Sequence, residues 1–547
     1  MISKENIYNN MIRMVKVPSV SGTIKEIQAA YKIRELLYEI PYFNQRKDAV
    51  KLVPLENDPF GRCIVTAFMD LNPDYQETII LTGHYDVVDV EEYGHLKDKA
   101  YDVEEITKCI NQISLDEDSL KDFKSGEWLF GRGTADMKYG HALCIELLRH
   151  FSEEGGINGK LLYVAVCGEE TNSEGMLRAV PFFNEFAAEK NLNYTALLLT
   201  ECYMMEDQAN DNNRYIHYGA SGKVMPMYFI AGEATHGGEP FLGIDPNLIA
   251  TEIYREMELN TEFCQHNLGE TTPPPVCLKF QDLKNTYYIS TPLYSASYFN
   301  IISIHMNPEE IMSKLIEIGH SAFESAIEFI KIKADKYEKL TGERPVTHSI
   351  TACVKTFYEL YCEVKETYYG DLDADIKKFA IELLEEKLEL QDICIKIVKK
   401  LYELYKNKRP MVIVSIIPPY YPDVYMDKNE EKAHNLLSCV DEIIKYAEEK
   451  YGETLKMKDY YMGISDLSYT SLAKDMNFDK LFENVVGANM IYQFPKEDLK
   501  RFSVPGIILG GYGKDFHKHT ERLNINYNFN VLPDLYVQLI KKIFNNK

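Results

Sequence analysis

Short apolar segments alternate with segments of helical periodicity in the first part of the chain. The apolar segments read ETIILTGHYDVV at 77–88, KLLYVAVCGEE at 160–170 and TALLLTE at 195–201. Between the first two, DMKYGHALCIELLRHF at 136–151 repeats apolar residues at helical spacing, with Leu143, Leu147 and Phe151 on one stripe. Strands that alternate with helices form a largely parallel sheet covered by helices. The sequence therefore predicts an α/β fold with a mixed, largely parallel sheet.

The character of the sequence changes near residue 219. GKVMPMYFIAGEATHGGEP and TYYISTPLYSASYFNIISIH predict strands of a half-exposed sheet, and charged helical patterns dominate 308–408. The strand PMVIVSIIPPYYP follows at 410–422, and a further α/β stretch ends in VPGIILGGYG at 504–513.

A chain of 547 residues is too long for one hydrophobic core. The simplest model is one α/β domain in two pieces, 1–218 and 426–547. A second, α+β domain is inserted at 219–425, and 308–408 is its extra helical part.

Composition excludes several classes of partner. The net charge of −24 argues against nucleic acid and anionic membranes, because both require a basic surface. The first residues have no apolar core of a signal peptide, and no apolar run is long enough to cross a bilayer. The 11 cysteines are scattered without a C-x-x-C pair, which is typical of reduced core cysteines. We expect a cytoplasmic protein.

Acidic residues and histidine follow each early strand. His84 and Asp86 end the first, Glu169 and Glu170 the second, and Glu201 the third. The carboxyl ends of parallel strands lie along one edge, so these side chains should converge there. Asp136 in GRGTADMKYG opens the helix that follows a glycine-rich loop, and His517 and His519 in GKDFHKHTER follow a late apolar run.

Carboxylates gathered in a dry crevice require a counter-charge, which a divalent metal supplies. Histidine mixed with carboxylate suits zinc, with manganese or cobalt as alternatives. Five candidate ligands and one extra glutamate suit two metals that share a bridging carboxylate. Each residue alone has a simpler explanation: His84 as a core histidine, Asp136 as a helix cap, Glu201 as a solvated strand end. Their joint placement favours the metal site.

Five motifs, GHYDVV, GRGTADMK, GEETNSEG, TE and FHKHTER, occur in this order between residues 84 and 521. The set resembles the co-catalytic zinc peptidase family of aminoacylase, carboxypeptidase G and succinyl-diaminopimelate desuccinylase. The resemblance implies a zinc-exopeptidase-like catalytic domain with an inserted lid domain. TPPPVCLKFQDLKNTYYISTP, PPYYP and GISDLSYTSL resemble most closely its RocB-type arginine-utilisation branch.

The resemblance assigns a role to each candidate. It implies that Glu169 is the general base, which takes a proton from the attacking water and passes it to the leaving amine. It implies that Asp86 orients a metal-binding histidine. In the family pattern, the metal-binding histidine is followed four residues later by a glutamate. Glu521 stands at that distance from His517, so the resemblance implies that His517 is the ligand and not His519. The implied metal ligands are His84 and Glu201 for one zinc, Glu170 and His517 for the other, and Asp136 as the bridge.

The inserted domain carries GEATHGGEPFLGIDPN, which resembles the lid motif of the family. The resemblance implies that His236 stabilises the tetrahedral oxyanion, whereas the simpler reading is a surface turn. In dimeric members the matching histidine reaches the partner's site. Because this lid is longer, we slightly favour a self-sufficient monomer, with a homodimer through lid edge strands as the alternative.

Two further segments leave alternatives open. SYFNIISIH lacks the arginine that clamps a substrate carboxylate in many members, which argues against a simple exopeptidase clamp; Asn300 there is either a substrate contact or a strand-end residue. Asp466 in GISDLSYTSL either lines the site or caps a helix.

The sequence thus predicts a hydrolase that uses two divalent metals to cleave an amide or peptide bond. Its substrate is expected to be small and amino-acid-derived, in arginine or other amino-acid catabolism. The alternative is a non-catalytic metal- or amino-acid-binding protein on the same fold. Glu169 favours the enzyme, because a protein that only binds has no need of a general base beside intact ligands.

Overall fold

The chain forms two compact units. The computed structural model describes residues 2–203, 210–211, 213–305, 307–472 and 477–545. Unit 1 comprises the described residues of Met1–Ser221, Val424–Leu472 and Pro495–Lys547, and unit 2 comprises those of Gly222–Asp423 and Ala473–Phe494. In the described part of the chain, no helix has both the length and the apolar character needed to cross a membrane.

Strands and helices alternate along much of the described chain. In chain order the strands are β1 (Val50–Pro54), β2 (Cys63–Asp70), β3 (Glu77–His84), β4 (Trp128–Phe130), β5 (Lys160–Val166), β6 (Asn193–Leu199), β7 (Arg214–His217), β8 (Gly219–Ala220), β9 (Gly222–Ala231), β10 (His266–Asn267), β11 (Glu270–Thr271), β12 (Val276–Asp282), β13 (Tyr294–Ser303), β14 (Val354–Thr356), β15 (Met411–Tyr421), β16 (Val424–Tyr425), β17 (Leu455–Lys458), β18 (Gly506–Ile508), β19 (Gly513–Lys514) and β20 (Arg522–Asn524).

The α-helices are α1 (Lys4–Val15), α2 (Lys25–Tyr38), α3 (Pro41–Gln45), α4 (Val103–Cys109), α5 (Glu117–Ser125), α6 (Tyr139–Glu154), α7 (Glu174–Lys190), α8 (Pro246–Met257), α9 (Pro308–Thr341), α10 (Phe357–Thr367), α11 (Leu372–Glu385), α12 (Leu390–Leu404), α13 (Glu431–Tyr451), α14 (Phe478–Phe482), α15 (Lys496–Phe502) and α16 (Leu532–Asn545).

Unit 1 is built around an eight-stranded mixed sheet in the order β1-β2-β5-β3-β6-β18-β7-β17. The four central strands, β5, β3, β6 and β18, are parallel to one another. β1 and β2 extend one side in antiparallel pairing. β3 and β5 are buried along almost their whole length, which explains their continuous apolar sequences. The predicted α/β fold is confirmed.

Helix α6 begins later than the sequence predicts. Leu143, Leu147 and Phe151 are fully buried, as their spacing indicates. However, the helix starts at Tyr139, because Asp136 and Met137 have non-helical backbone angles in the turn Thr134–Lys138. Asp136 therefore lies in a turn before the helix and is not its N-terminal residue.

Unit 2 contains a five-stranded sheet in the order β12-β13-β9-β15-β14, with helices on both faces. On one face, Tyr228 of β9 donates a hydrogen bond to the carbonyl of Leu315 in α9. On the other face, Met227 and Phe229 of β9 pack in a cluster with residues of α10, α11 and α12. The region 308–408 thus contributes to both faces, and the short strand β14 interrupts its predicted helical pattern by pairing parallel to β15.

The boundaries of unit 2 differ from the sequence prediction. The predicted insert was 219–425, whereas the unit spans 222–423 and also takes the described part of 473–494 from the predicted 426–547. The reason is backbone pairing: Ile416 of β15 donates to the Asn484 carbonyl at 2.8 Å and accepts from the Val486 amide at 2.9 Å. A segment that returns to the inserted domain in this way has no distinctive amino-acid composition, so the sequence does not reveal it.

Candidate metal centre

Three neighbouring strands place acidic residues and a histidine at one edge of the unit 1 sheet. His84 is the last residue of β3, Glu169 and Glu170 follow β5, and Glu201 follows β6. β3 lies between β5 and β6 and is parallel to both. The carboxyl ends of the three strands therefore meet at the same edge, as the sequence indicates.

A tight turn after β5 explains how two adjacent glutamates reach the same site. Gly168 has a φ of +69°, and a Cβ on it would lie 2.2 Å from Glu174 Oε2. Immediately after it, the carboxylate of Asp86 accepts hydrogen bonds from the amides of Glu169 and Glu170, at 3.2 and 3.1 Å. This carboxylate fixes the turn that carries both glutamates.

Asp86 acts on His84 through its backbone. The Nδ1 atom of His84 lies 3.2 Å from the Asp86 carbonyl oxygen, whereas the carboxylate Oδ1 of Asp86 is 3.8 Å away. With its proton on Nδ1, His84 donates to that carbonyl and presents the Nε2 lone pair to the site. Asp86 therefore lies where it can orient His84, but it does so through its backbone carbonyl. Its carboxylate instead accepts hydrogen bonds from the amides of the turn that carries the two glutamates.

Asp136 lies between two pairs of side chains. His84 Nε2 is 3.0 Å from Asp136 Oδ1 and 3.3 Å from Glu201 Oε1. His517 Nε2 is 3.2 Å from Asp136 Oδ2 and 2.9 Å from Glu170 Oε2. We call His84 and Glu201 the strand pair, and Glu170 and His517 the loop pair. One carboxylate oxygen of Asp136 thus faces each pair.

The two C-terminal histidines have different surroundings. His519 lies with its Nε2 3.0 Å from the carbonyl oxygen of Ser114, to which it can donate. His517, with a φ of +64°, contacts Asp136 and Glu170. The structure therefore brings His517, and not His519, to the acidic cluster.

A buried ion pair supports the loop that carries His517. Arg132 donates to Glu521 Oε2 at 2.7 Å and to the carbonyl of His517 at 3.0 Å. Glu521 Oε1 accepts from the amides of Ala135 and Asp136, at 3.2 and 3.3 Å. One arginine–glutamate pair thereby fixes the backbone of both Asp136 and His517.

Burial strongly perturbs the pKa values of the cluster. It raises the pKa of Glu169 well above its ordinary value and that of Glu170 to about 7. Burial also raises the pKa of Glu201. Although burial acts in the same direction on Asp136, the neighbouring imidazoles of His517 and His84 lower the pKa of that carboxyl. Hydrogen bonds with Asp136 and Glu170 raise the pKa of His517 to about 11.

The charges and donor atoms of the cluster fit divalent cations. Carboxylates outnumber imidazoles among its residues, and burial opposes the ionisation of most of them. Asp136 Oδ1 is buried without a hydrogen-bond partner among the residues that the structure describes, although the acceptor nitrogen of His84 is near it. Two lone pairs directed at a common point are satisfied by a cation. The arrangement is also what a shared, bridging carboxylate requires.

Two sets of described residues bring potential metal-binding atoms within 4.8 Å of one another. They are His84, Asp136 and Glu170 in one set, and Asp136, Glu201 and Cys202 in the other. Asp136 belongs to both. Sequence reasoning missed Cys202, which it treated as a core residue; its position directly after Glu201 was the available signal. Burial raises the pKa of the Cys202 thiol well above its ordinary value.

The segment around Asp466 also lies at this cluster. Ser465 donates from Oγ to Glu201 Oε2 at 3.3 Å and accepts from the Leu467 amide, so Ser465 is the residue that caps the following turn. Asp466 is 1% exposed, and in the described part of the chain neither of its carboxylate oxygens has a hydrogen-bond partner. Of the two sequence interpretations of Asp466, the capping role is wrong.

His236 lies in unit 2 and is exposed. Its Nδ1 accepts a hydrogen bond from the Gly238 amide at 3.0 Å. In the neutral ring the proton is therefore on Nε2, which becomes a hydrogen-bond donor. Its role in stabilising an oxyanion stays a prediction.

The chain is similar in sequence and in fold to known proteins. Residues 80–542 match the family described as peptidase family M20/M25/M40. The chain is 34% identical to protein YqjN of Bacillus subtilis strain 168 over 536 residues, 97% of this chain and 95% of that protein. It is 32% identical to protein RocB of the same organism over 527 residues, 96% and 92% of the two chains. The dipeptidase Dug1p from Saccharomyces cerevisiae has a similar fold, with a TM-score of 0.56 at 12% identity over 99% of this chain and 96% of its own.

Proposed function

Because the chain belongs to peptidase family M20/M25/M40, we propose that it is a two-metal hydrolase of an amide or peptide bond in a small amino-acid-derived substrate. The observation that carries this proposal is the position of Asp136. Its two oxygens lie 3.0 and 3.2 Å from the Nε2 atoms of His84 and His517. One carboxylate between two imidazole–carboxylate pairs is suited to bridging two ions.

Five residues would hold the two ions. The strand pair, His84 and Glu201, would bind one ion, the loop pair, Glu170 and His517, would bind the other, and Asp136 would bridge them. Zinc suits this mixture of imidazole and carboxylate, with cobalt and manganese as alternatives. When bound, such ions polarise a carbonyl oxygen and lower the pKa of water.

Glu169 would act as the general base. It is buried, and its Oε2 lies 3.9 Å from His84 Nε2, farther than the atoms assigned as ligands. Burial raises its pKa well above the ordinary value, so that its carboxylate is a stronger base. It takes a proton from the water that attacks the carbonyl carbon. It then gives that proton to the amide nitrogen as the carbon–nitrogen bond breaks.

His236 would stabilise the oxyanion. The hydrogen bond from Gly238 to Nδ1 supports this role, because it keeps a proton on Nε2 for donation. We favour a self-sufficient chain in which His236 serves its own metal centre. To test this, inactive Glu169→Gln protein is mixed with inactive His236→Ala protein under conditions of subunit exchange. The mixture should remain inactive, whereas recovered activity would show that a second copy supplies the histidine.

We further propose a role in amino-acid catabolism, arginine being the first candidate substrate class. The support is the 32% identity to RocB over most of both chains, together with the sequence resemblance to the RocB-type branch. Faster hydrolysis of derivatives of amino acids without a basic side chain would contradict the choice of arginine as the substrate class.

The decisive experiment is hydrolysis by metal-free protein reloaded with zinc, cobalt or manganese. A panel of N-acyl amino acids and dipeptides is tested with wild type and Glu169→Gln. We expect turnover that requires metal and falls in the variant. If the reloaded wild type binds panel members without cleaving any of them, the protein is a binding protein on this fold.

A further inference from the structure

The side chain of Asp466 is an acidic group buried without a partner beside the candidate metal centre. The residue is 1% exposed, and neither carboxyl oxygen has a hydrogen-bond partner among the described residues. Leaving one charged group unpaired in the interior is strongly unfavourable, so buried carboxylates are ordinarily paired or bound to a cation. The missing partner of Asp466 therefore requires an explanation.

The carboxyl group of Asp466 lies within electrostatic range of the strand pair. Its electrostatic neighbours are His84, Glu201 and Asp86, and its own charge raises the pKa of Glu169. The preceding residue, Ser465, is hydrogen-bonded to Glu201. Asp466 is therefore close to the reacting end of the site, next to the proposed general base.

Asp466 is not needed as a ligand of either metal ion. The strand pair and the loop pair already give each ion two ligands besides Asp136. Asp466 also belongs to neither of the two sets of described residues whose ligand atoms lie within 4.8 Å of one another. Its carboxyl group is therefore available to another cation, within electrostatic range of His84 and Glu201.

We propose that Asp466 binds a protonated nitrogen of the substrate, an ammonium or guanidinium group, and so selects cationic substrates. This inference rests on the proposed hydrolase function, which it extends to a substrate class. A carboxylate with two open oxygens can accept two hydrogen bonds from such a group. The bound nitrogen cation would also neutralise part of the negative charge around Glu169.

The test is a charge-paired binding experiment. Metal-loaded Glu169→Gln protein, with and without Asp466→Asn, is titrated calorimetrically with two pairs of probes. N-acetyl-L-arginine and N-acetyl-L-citrulline differ in the charge of the side chain. L-alanyl-L-alanine and N-acetyl-L-alanyl-L-alanine differ in the charge of the amino terminus.

We expect the charged member of at least one pair to bind at least about tenfold more tightly, and Asp466→Asn to remove that preference. The neutral member should bind both proteins equally within about threefold. The proposal is overturned if neither pair shows a preference, or if the preference survives the substitution. A matched control is Asp459→Asn, since Asp459 accepts hydrogen bonds from Tyr425 and Tyr218 and forms an ion pair with Lys428. This control should keep the preference.

Two further measurements separate the possible failures. Metal content should be unchanged in Asp466→Asn, and a lower content would assign Asp466 to the metal ions and refute the proposal. The metal-free variant should melt no lower than the wild type, because the substitution removes an unpaired buried charge. If wild type hydrolyses no amide while the charge preference behaves as expected, the hydrolase proposal fails and the Asp466 cation site stands.

Discussion

The strand pair and the loop pair of the candidate metal centre are held in different ways. His84 and Glu201 follow directly from β3 and β6, whose packing fixes the direction of their side chains. Glu170 lies in a turn and His517 in a loop at a positive φ. The backbone around the loop pair is fixed by buried ion pairs, one centred on Arg62 and the other on Arg132.

This contrast shows where the structural support of a two-metal site is needed. A parallel sheet places residues at its edge without further support. A loop needs neighbours that restrain its backbone, and here charged side chains serve that purpose. Substitutions in the ion pairs should therefore damage one half of the centre while the other half remains.

The largest effect is expected at Glu169, which lies 3.9 Å from His84 Nε2 and belongs to neither pair. Glu169→Gln should retain both metal ions and lose about 10²–10⁴-fold in kcat, because an amide cannot accept the proton. The matched variant is Glu170→Gln at the adjacent position, which should lose metal at the loop pair. Steady-state kinetics and metal analysis of both variants provide the measurement. Reduced metal content in Glu169→Gln would assign that residue to the ligands.

Glu521→Gln tests the support of the loop pair. It leaves the buried guanidinium of Arg132 without its carboxylate, which should cost about 3 kcal/mol of unfolding free energy. The second metal equivalent should bind about 10–100-fold more weakly. The first should be little changed, because the amide oxygen of Gln can still accept the hydrogen bonds from the backbone of Ala135 and Asp136. Denaturation and competitive metal titration provide the two values.

A suitable control for that substitution is Glu453→Gln. Glu453 pairs with Arg214 at 3.3 Å, in another part of unit 1. It should not change the metal titration. Equal weakening of both equivalents in Glu521→Gln would contradict the distinction between the strand pair and the loop pair.

Arg62 tests the support of the glutamate turn. Its guanidinium, which is 3% exposed, donates to Glu26 at 3.1 Å, to Asp58 at 2.7 Å and to Glu174 at 2.9 Å, and Glu26 in turn accepts from the Gly168 amide. Arg62→Lys keeps the charge but cannot make the planar set of bonds. We expect kcat to fall about 10–100-fold with KM nearly unchanged, because the general base is displaced.

The control for Arg62 is Arg13→Lys, since Arg13 pairs with Glu35 and Glu39 at the surface. Its kinetic constants should equal those of wild type. A rise in KM without a change of kcat in Arg62→Lys would show that the turn serves substrate binding, and not the positioning of Glu169.

The strand pair was the more predictable half of the centre. The apolar composition of β3, β5 and β6, and the helical periodicity of a segment between them, identify these strands in the sequence. Their parallel pairing alone brings His84, Glu169 and Glu201 to one edge of the sheet. By contrast, His517 was chosen over His519 through the resemblance of its motif to a known family. The contacts of Arg62 and Arg132 join segments distant in the sequence, and no local pattern indicates that an arginine will be buried. For the same reason the return of residues 477–494 to unit 2 was missed.

The smallest predicted effect concerns the sheet on which the strand pair depends. His217 at the end of β7 is 4% exposed, and its ring packs edge-on against Tyr461 at 5.3 Å. Its Nδ1 has no hydrogen-bond partner within the described ranges of the chain. Burial, assisted by the charge of Lys458, lowers the pKa of His217 from 6.5 to about 3. The folded protein thus keeps this imidazole neutral at a pH where the unfolded chain binds a proton. The stabilisation is present above about pH 6.5 and is lost as the pH falls towards 3, at about 1.4 kcal/mol per pH unit.

Metal-free wild type should therefore lose about 2 kcal/mol relative to His217→Gln between pH 7.5 and pH 5 in urea unfolding. The control His434→Gln, at an exposed position of α13, should follow wild type at both pH values. If wild type and His217→Gln share the same pH dependence, the sheet does not depend on a neutral His217, and acid must weaken the centre through its ligands alone.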